Sequence, residues 1–107
     1  MQRSLLLNKF KAHAYRVWPL HLFRVEGDSM RPTYVPGDTL LGLSWFKPQV
    51  GQTIVAEHAG MPLIKRLNGV TDSQIWVIGD NPGHSTDSRM FGPLTKNALK
   101  AKIIAKL

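Results

Sequence analysis

The chain has 107 residues, 43% of them apolar, so it holds one modest core in one domain and is not a disordered segment. It has no cysteine, which excludes thiol catalysis, disulfides and cysteine-ligated zinc. Fourteen Lys+Arg against seven Asp+Glu give a net charge of +7, a balance that attracts nucleic acid, anionic lipid or acidic protein without choosing among them.

In chain order, residues 4–16 are expected to form a short basic amphipathic helix, ended before Pro19. Apolar runs there are no longer than Leu5-Leu6-Leu7 and Trp18-Pro19-Leu20. A membrane span needs roughly 20 apolar residues, so neither a transmembrane helix nor a cleavable signal peptide is expected. Leu20 to Val25 reads as a strand, and Pro36-Gly37-Asp38 as a turn before a strand from Thr39 to Trp45. Strands are expected at Gln52 to His58, Pro62 to Leu67 and Gln74 to Ile78. Ala59-Gly60 and Asn68-Gly69 read as the turns between them. Gly79 to Ser88 reads as a polar loop. In "ALKAKIIAKL", Leu99, Ala101, Ile103, Ala105 and Leu107 recur every second residue, which predicts a half-buried strand with lysines toward water. Short strands with frequent turns imply a mainly β domain, barrel-like or sandwich-like. A basic N-terminal segment over 1–22 and a β domain over 23–107 are the expected divisions.

Three segments bear on chemistry. "GDSMRPTY" sets Ser29 in a turn. A serine hydroxyl needs a base before it attacks a carbonyl. His13, His21, His58 and His84 stand in no recognisable triad context, and a Ser–Asp–His order stays open. A lysine serves only when neutral, hence when buried among apolar groups. On a strand in "MPLIKRL", Lys65 shares a face with Leu63 and Leu67, while Arg66 points the other way and cannot lose its proton. Against this, a strand lysine is commonly a solvated side chain and a Gly-Asp-Ser turn commonly just a turn. The third segment, "IGDNPGHSTDSRMFGPL", gathers Asp80, Asn81, Ser85, Asp87, Ser88 and Arg89. Asp87 and Arg89 are spaced for a local ion pair, and a serine there can orient a neutral lysine.

Together the segments resemble the boxes of the type I signal peptidase family, serine–lysine peptidases that include mitochondrial inner-membrane peptidases. The resemblance runs from about Phe23 to about Leu94, with the boxes in order. It implies a coiled antiparallel β-sheet, with Ser29 as nucleophile, Lys65 as general base and Ser85 orienting the lysine amine. It implies that the Ser29 N–H helps form an oxyanion hole, that Met30 and Pro32 hold the turn and line the cleft, and that Asp87 and Arg89 shape the closing loop. Gly27 and Asp28 are expected to support the oxyanion site, and Asp80, Asn81 and Ser88 the loop. Gly27 stands where some members carry a hydroxyl residue. The implied function is a serine endopeptidase that removes an N-terminal leader or signal peptide, with small residues before the cut and no cofactor or bound metal. The usual N-terminal anchor is missing from the pattern, so a minimal core, cytoplasmic or peripheral at a membrane through residues 3–24, is expected. "VEGDSMRPT" and "GDNPGHSTDSR" are also similar to short, anchorless relatives that mature nickel superoxide dismutase by removing its propeptide; nickel would belong to that substrate. Two other classes stay in view. A self-cleaving regulator needs a DNA-binding domain and an internal scissile site, and neither is visible. A non-catalytic basic β domain binding nucleic acid lacks aromatic residues clustered on a strand for base stacking, and no nucleic-acid partner is expected.

Overall fold

The computed structural model describes residues 14–17, as backbone, and 19–107. Among the described residues, eight strands form one antiparallel sheet: β1 (Ala14–Val17), β2 (Leu20–Arg24), β3 (Thr39–Leu43), β4 (Thr53–His58), β5 (Met61–Val70), β6 (Gln74–Ile78), β7 (Leu94–Thr95) and β8 (Leu99–Lys106). Their order is β1-β2-β3-β8-β4-β5-β6-β7, and the sheet curls into a half-barrel. The mainly β single domain expected from strand spacing is therefore present.

Residues 14–16, expected on a helix, pair instead in the β1–β2 hairpin, with Ala14 opposite Phe23 and Val17 opposite Leu20. Pro19 sits in the turn of that hairpin. A proline that stops a helix serves equally as a hairpin corner, and Tyr15 and Val17 favour the extended state. The rest of the helix expectation, residues 4–13, lies outside the described residues.

β4 and β5 build the wall that carries the candidate base. Thr53, Ile54 and Val55 are β-branched and suit a strand. Four successive residues, Thr53–Ala56, are buried, so both faces of β4 are covered. The β4–β5 turn is Ala59-Gly60, with φ of 52° and 78°. Two left-handed residues match the twist of the flanking strands, and they bring His58 opposite Met61. The Asn68-Gly69 break does not form a turn. β5 continues to Val70, and the register shifts between Leu67 and Gly69. Gly69 lies under Trp76, where an added Cβ would stand 3.2 Å from Cε3. The glycine thus marks a bulge and close packing. The turn falls three residues later, where the Thr71 Oγ1 accepts from the Gln74 N–H at 3.1 Å.

Ile54, Ala56, Leu67, Ile75 and Val77 form a core cluster, with Phe46, Val70, Phe91, Leu94 and Leu99 packed against it. Ile54, Leu67, Ile75 and Val77, all fully buried, each contribute about 1.5–3 kcal/mol by leaving water. β8 lies between β3 and β4, with Ala101 buried and Lys100 and Lys106 exposed, as the period of two required. Among the described residues no helix is long and apolar enough to cross a membrane.

Candidate active site

β5 places Lys65 on the face it shares with Leu67, beside Ile54 of β4. The residue is 4% exposed. Burial disfavours the ammonium form and pushes the Lys65 pKa down from its ordinary 10.5. The charge of Asp87 opposes that shift, and the Arg89 guanidinium adds to it. Lys65 Nζ donates to Ser85 Oγ at 3.1 Å. The Ser85 hydroxyl in turn donates to Asp87 Oδ2 at 2.6 Å.

Asp87 is fully buried. It caps the short helix α1 (Ser88–Phe91), accepting from the Arg89 N–H at 3.1 Å. It also accepts from Gly79 N–H at 2.7 Å, from Arg89 Nε at 2.9 Å and from Arg89 Nη2 at 2.5 Å. The Arg89 bonds, then those of Ser85 and Gly79, hold the Asp87 carboxyl far below the usual carboxylate range. It therefore stays charged at any working pH, and the Ser85 proton stays committed to it. Helix α1 is itself fastened: Ser88 Oγ accepts from Val77 N–H at 2.8 Å, and Phe91 stacks on His58 with ring centroids 4.1 Å apart.

The Ser29 turn leaves β2 through Gly27, whose φ of 75° suits a residue without Cβ. Met30 is 1% exposed and anchors the turn from beneath. The Tyr34 N–H donates to Met30 O at 2.9 Å, tightening the bend. Asp28 lies at the surface in an ion pair with Arg31 at 2.6 Å. Pro32 is exposed and follows a cis peptide bond.

Gly79 is the point where the segments meet. An added Cβ there would overlap Ser85 Oγ, and would lie 2.6 Å from Ser85 Cβ and 2.7 Å from the Ser29 carbonyl oxygen. The main chain of the Ser29 turn and the serine that holds Lys65 therefore pack on one α-carbon. Asn81 extends the contact: its N–H donates to Ser29 O at 2.9 Å and its Nδ2 to Asp28 O at 3.0 Å.

Several contacts of the site were not legible in the sequence. Arg66 forks onto Asp80, Nε to Oδ1 at 2.8 Å and Nη2 to Oδ2 at 2.6 Å, and reaches Gly51 O at 2.8 Å. Thr33 Oγ1 donates to Asp80 Oδ2 at 2.6 Å. Those bonds from Arg66 hold the Asp80 carboxyl below its ordinary range. Gly79 was legible only as the start of the polar loop. Among the histidines, His21 and His58 are in ring stacks with Phe23 and Phe91, and His84 is exposed in a 3-10 turn, Pro82–His84. Among the described residues no group of three or more His, Asp or Glu could hold a metal.

A lysine kept from water on a sheet wall, with its serine hydrogen-bond partner and the turn of a second serine both meeting at Gly79, points to the serine peptidases as a class. The chain belongs to the Peptidase S24-like family, whose model matches residues 14–106. Mitochondrial inner membrane protease subunit 1 of Schizosaccharomyces pombe is 48% identical over 117 residues, covering 81% of this chain and 74% of the relative. Subunit 2 from the same yeast is 30% identical over 111 residues, covering 78% and 62%. Subunit 2 of Mus musculus is 34% identical over 107 residues, covering 73% and 61%. The chain thus spans about three fifths of the length of these two subunit 2 relatives.

Proposed function

We propose that this chain is a serine endopeptidase that removes an N-terminal leader peptide from a protein substrate, with Ser29 as nucleophile and Lys65 as general base. The observation that carries the reading is the chain of bonds from Lys65 Nζ to Ser85 Oγ to the Asp87 carboxylate. Because Ser85 gives its proton to Asp87, it offers Lys65 only a lone pair. That lone pair takes one N–H of the neutral amine. The amine's own lone pair is left to receive the Ser29 proton.

In this mechanism Lys65 takes the Ser29 Oγ proton as Oγ bonds to the scissile carbonyl carbon. The carbonyl oxygen becomes an oxyanion, for which the Ser29 N–H is a donor; Gly27 supplies no side-chain donor. Collapse breaks the C–N bond, and the Lys65 ammonium gives its proton to the leaving amine. Water then attacks the acyl ester, passing a proton to Lys65, which returns it to Ser29 Oγ. The substrate lies extended, pairing main chain to main chain, with small residues before the cut. The relatives are named as membrane proteases, and we extend that setting to this chain as a peripheral contact with a membrane.

The test is incubation with a leader-peptide library, with and without lipid, and location of cuts by mass spectrometry. Ser29→Ala and Lys65→Met each abolish cleavage while the fold persists. Cuts that survive Ser29→Ala, or none in the wild type, overturn the assignment. Including the propeptide of a nickel superoxide dismutase tests the narrower substrate with the same chemistry. Salt-sensitive binding of RNA or DNA that survives Ser29→Ala would favour a basic β domain instead.

A further inference from the structure

Most of the turn that carries Ser29 is exposed, and Met30 is the buried side chain that anchors it. What resists rotation lies across the fold. Asp80 receives Thr33 on one side and the forked Arg66 on the other. Thr33 stands four residues after Ser29, and Arg66 directly after Lys65, on the opposite face of β5. Next to Asp80, Asn81 holds both Ser29 O and Asp28 O. One carboxylate therefore ties the strand of the candidate base to the turn of the candidate nucleophile. A forked Arg–carboxylate pair resists turning as well as separation, because two parallel N–H bonds fix the planes of both groups.

We propose that Thr33 and Asp80 are positioning residues, which set the orientation of the Ser29 turn relative to Lys65 without touching substrate. This rests on the assignment of Ser29 and Lys65 as nucleophile and base. Asp80 contributes through its charge, which Arg66 needs, and Thr33 through its hydroxyl proton. Losing the Thr33 bond frees the turn to rotate about the Met30 anchor, and Asn81 loses its partner at Ser29 O for part of the time.

Two measurements on the full chain test this, with Thr33→Val, Thr33→Ser and Asp80→Asn. Steady-state cleavage of a peptide that the wild type cuts in a Ser29-dependent way separates kcat from KM. In Thr33→Val, kcat falls by about tenfold or more while KM stays within about twofold, because orientation is lost at the reacting atoms only. Thr33→Ser restores kcat, and thermal unfolding of both variants matches wild type, since Thr33 is exposed. Asp80→Asn lowers kcat at least as much as Thr33→Val. Hydrogen exchange then reads the Asn81 amide directly, and it speeds about tenfold or more in Thr33→Val but not in Thr33→Ser. Unchanged kcat in Thr33→Val, or equal losses in the Val and Ser variants, overturns the proposal. If the wild type shows no Ser29-dependent cleavage, the peptidase reading fails by itself. The exchange measurement still decides whether Thr33 holds the turn, and an unchanged Asn81 rate refutes it.

Discussion

Replacing Gly79 with alanine adds a single methyl group where three segments converge. The backbone there is not in the left-handed region, so the cost is steric. The new Cβ would sit 2.7 Å from the Ser29 carbonyl oxygen, where ordinary contact begins at 3.4 Å, and 2.6 Å from Ser85 Cβ. Neither neighbour yields easily. Ser29 O is main chain held by the Asn81 N–H, and Ser85 is held between Lys65 and Asp87. Overpacking of this kind costs about 1–3 kcal/mol, and each kcal/mol lowers Tm by roughly 4–8 °C in a domain near this size. On the proposed assignment of Ser29 and Lys65 as the reacting groups, a shift approaching 1 Å there lowers kcat by on the order of 100-fold. Gly83→Ala is the control, because it meets nothing within 4 Å and lies exposed; its effect stays within about 0.5 kcal/mol. Urea and thermal unfolding measure the first quantity, and peptide cleavage at a temperature where both variants are folded measures the second. If Gly79→Ala matches Gly83→Ala in stability and in kcat, the Ser29 turn and Ser85 do not pack on this residue.

Other outcomes follow from the same contacts. Lys65→Met removes a charge that burial opposes, so the variant is more stable than wild type at neutral pH. The unfolded chain binds the Lys65 proton more readily than the folded one, so wild-type stability rises with pH between the lowered folded pKa and 10.5; unfolding curves across that window show the rise, and Lys65→Met lacks it. Arg89→Met leaves the Asp87 charge less compensated, which raises the Lys65 pKa. On the proposed mechanism, in which Lys65 is the base, the acidic limb of kcat/KM then moves to higher pH, and an unmoved limb contradicts the link. Met30→Ala costs about 2–5 kcal/mol by denaturant unfolding, because the side chain is fully buried, whereas Met30→Leu costs under about 1.5 kcal/mol.

Local features were readable in the sequence to the extent that their causes are local. Alternation around Lys65 reveals its burial because strand geometry alone puts it with Leu67. The Ser85–Asp87–Arg89 cluster is readable because its members are two residues apart. Thr33 and Asp80 are 47 residues apart, and no local pattern announces their bond. Arg66 could be eliminated as a base from its chemistry, but its hold on Asp80 depends on how β5 and the 79–81 segment come together. The Asn68-Gly69 dipeptide misleads because a glycine that permits a turn also permits the close approach of Trp76. The place of β8 escapes sequence reasoning for a related reason. Its pattern shows that one face is buried, and says nothing about which strands flank it.

That place has a bearing on how the polypeptide is made. β1–β3 and β4–β7 are joined edge to edge only through β8, among the described residues. Residues 99–106 leave the ribosome after all the others in the sheet. Until they emerge, the portion bearing Ser29 and the portion bearing Lys65 have no shared ladder to bring them into register. On the proposed assignment of Ser29 and Lys65, a nascent chain is thereby expected to be inert toward neighbouring peptides until β8 joins the two portions.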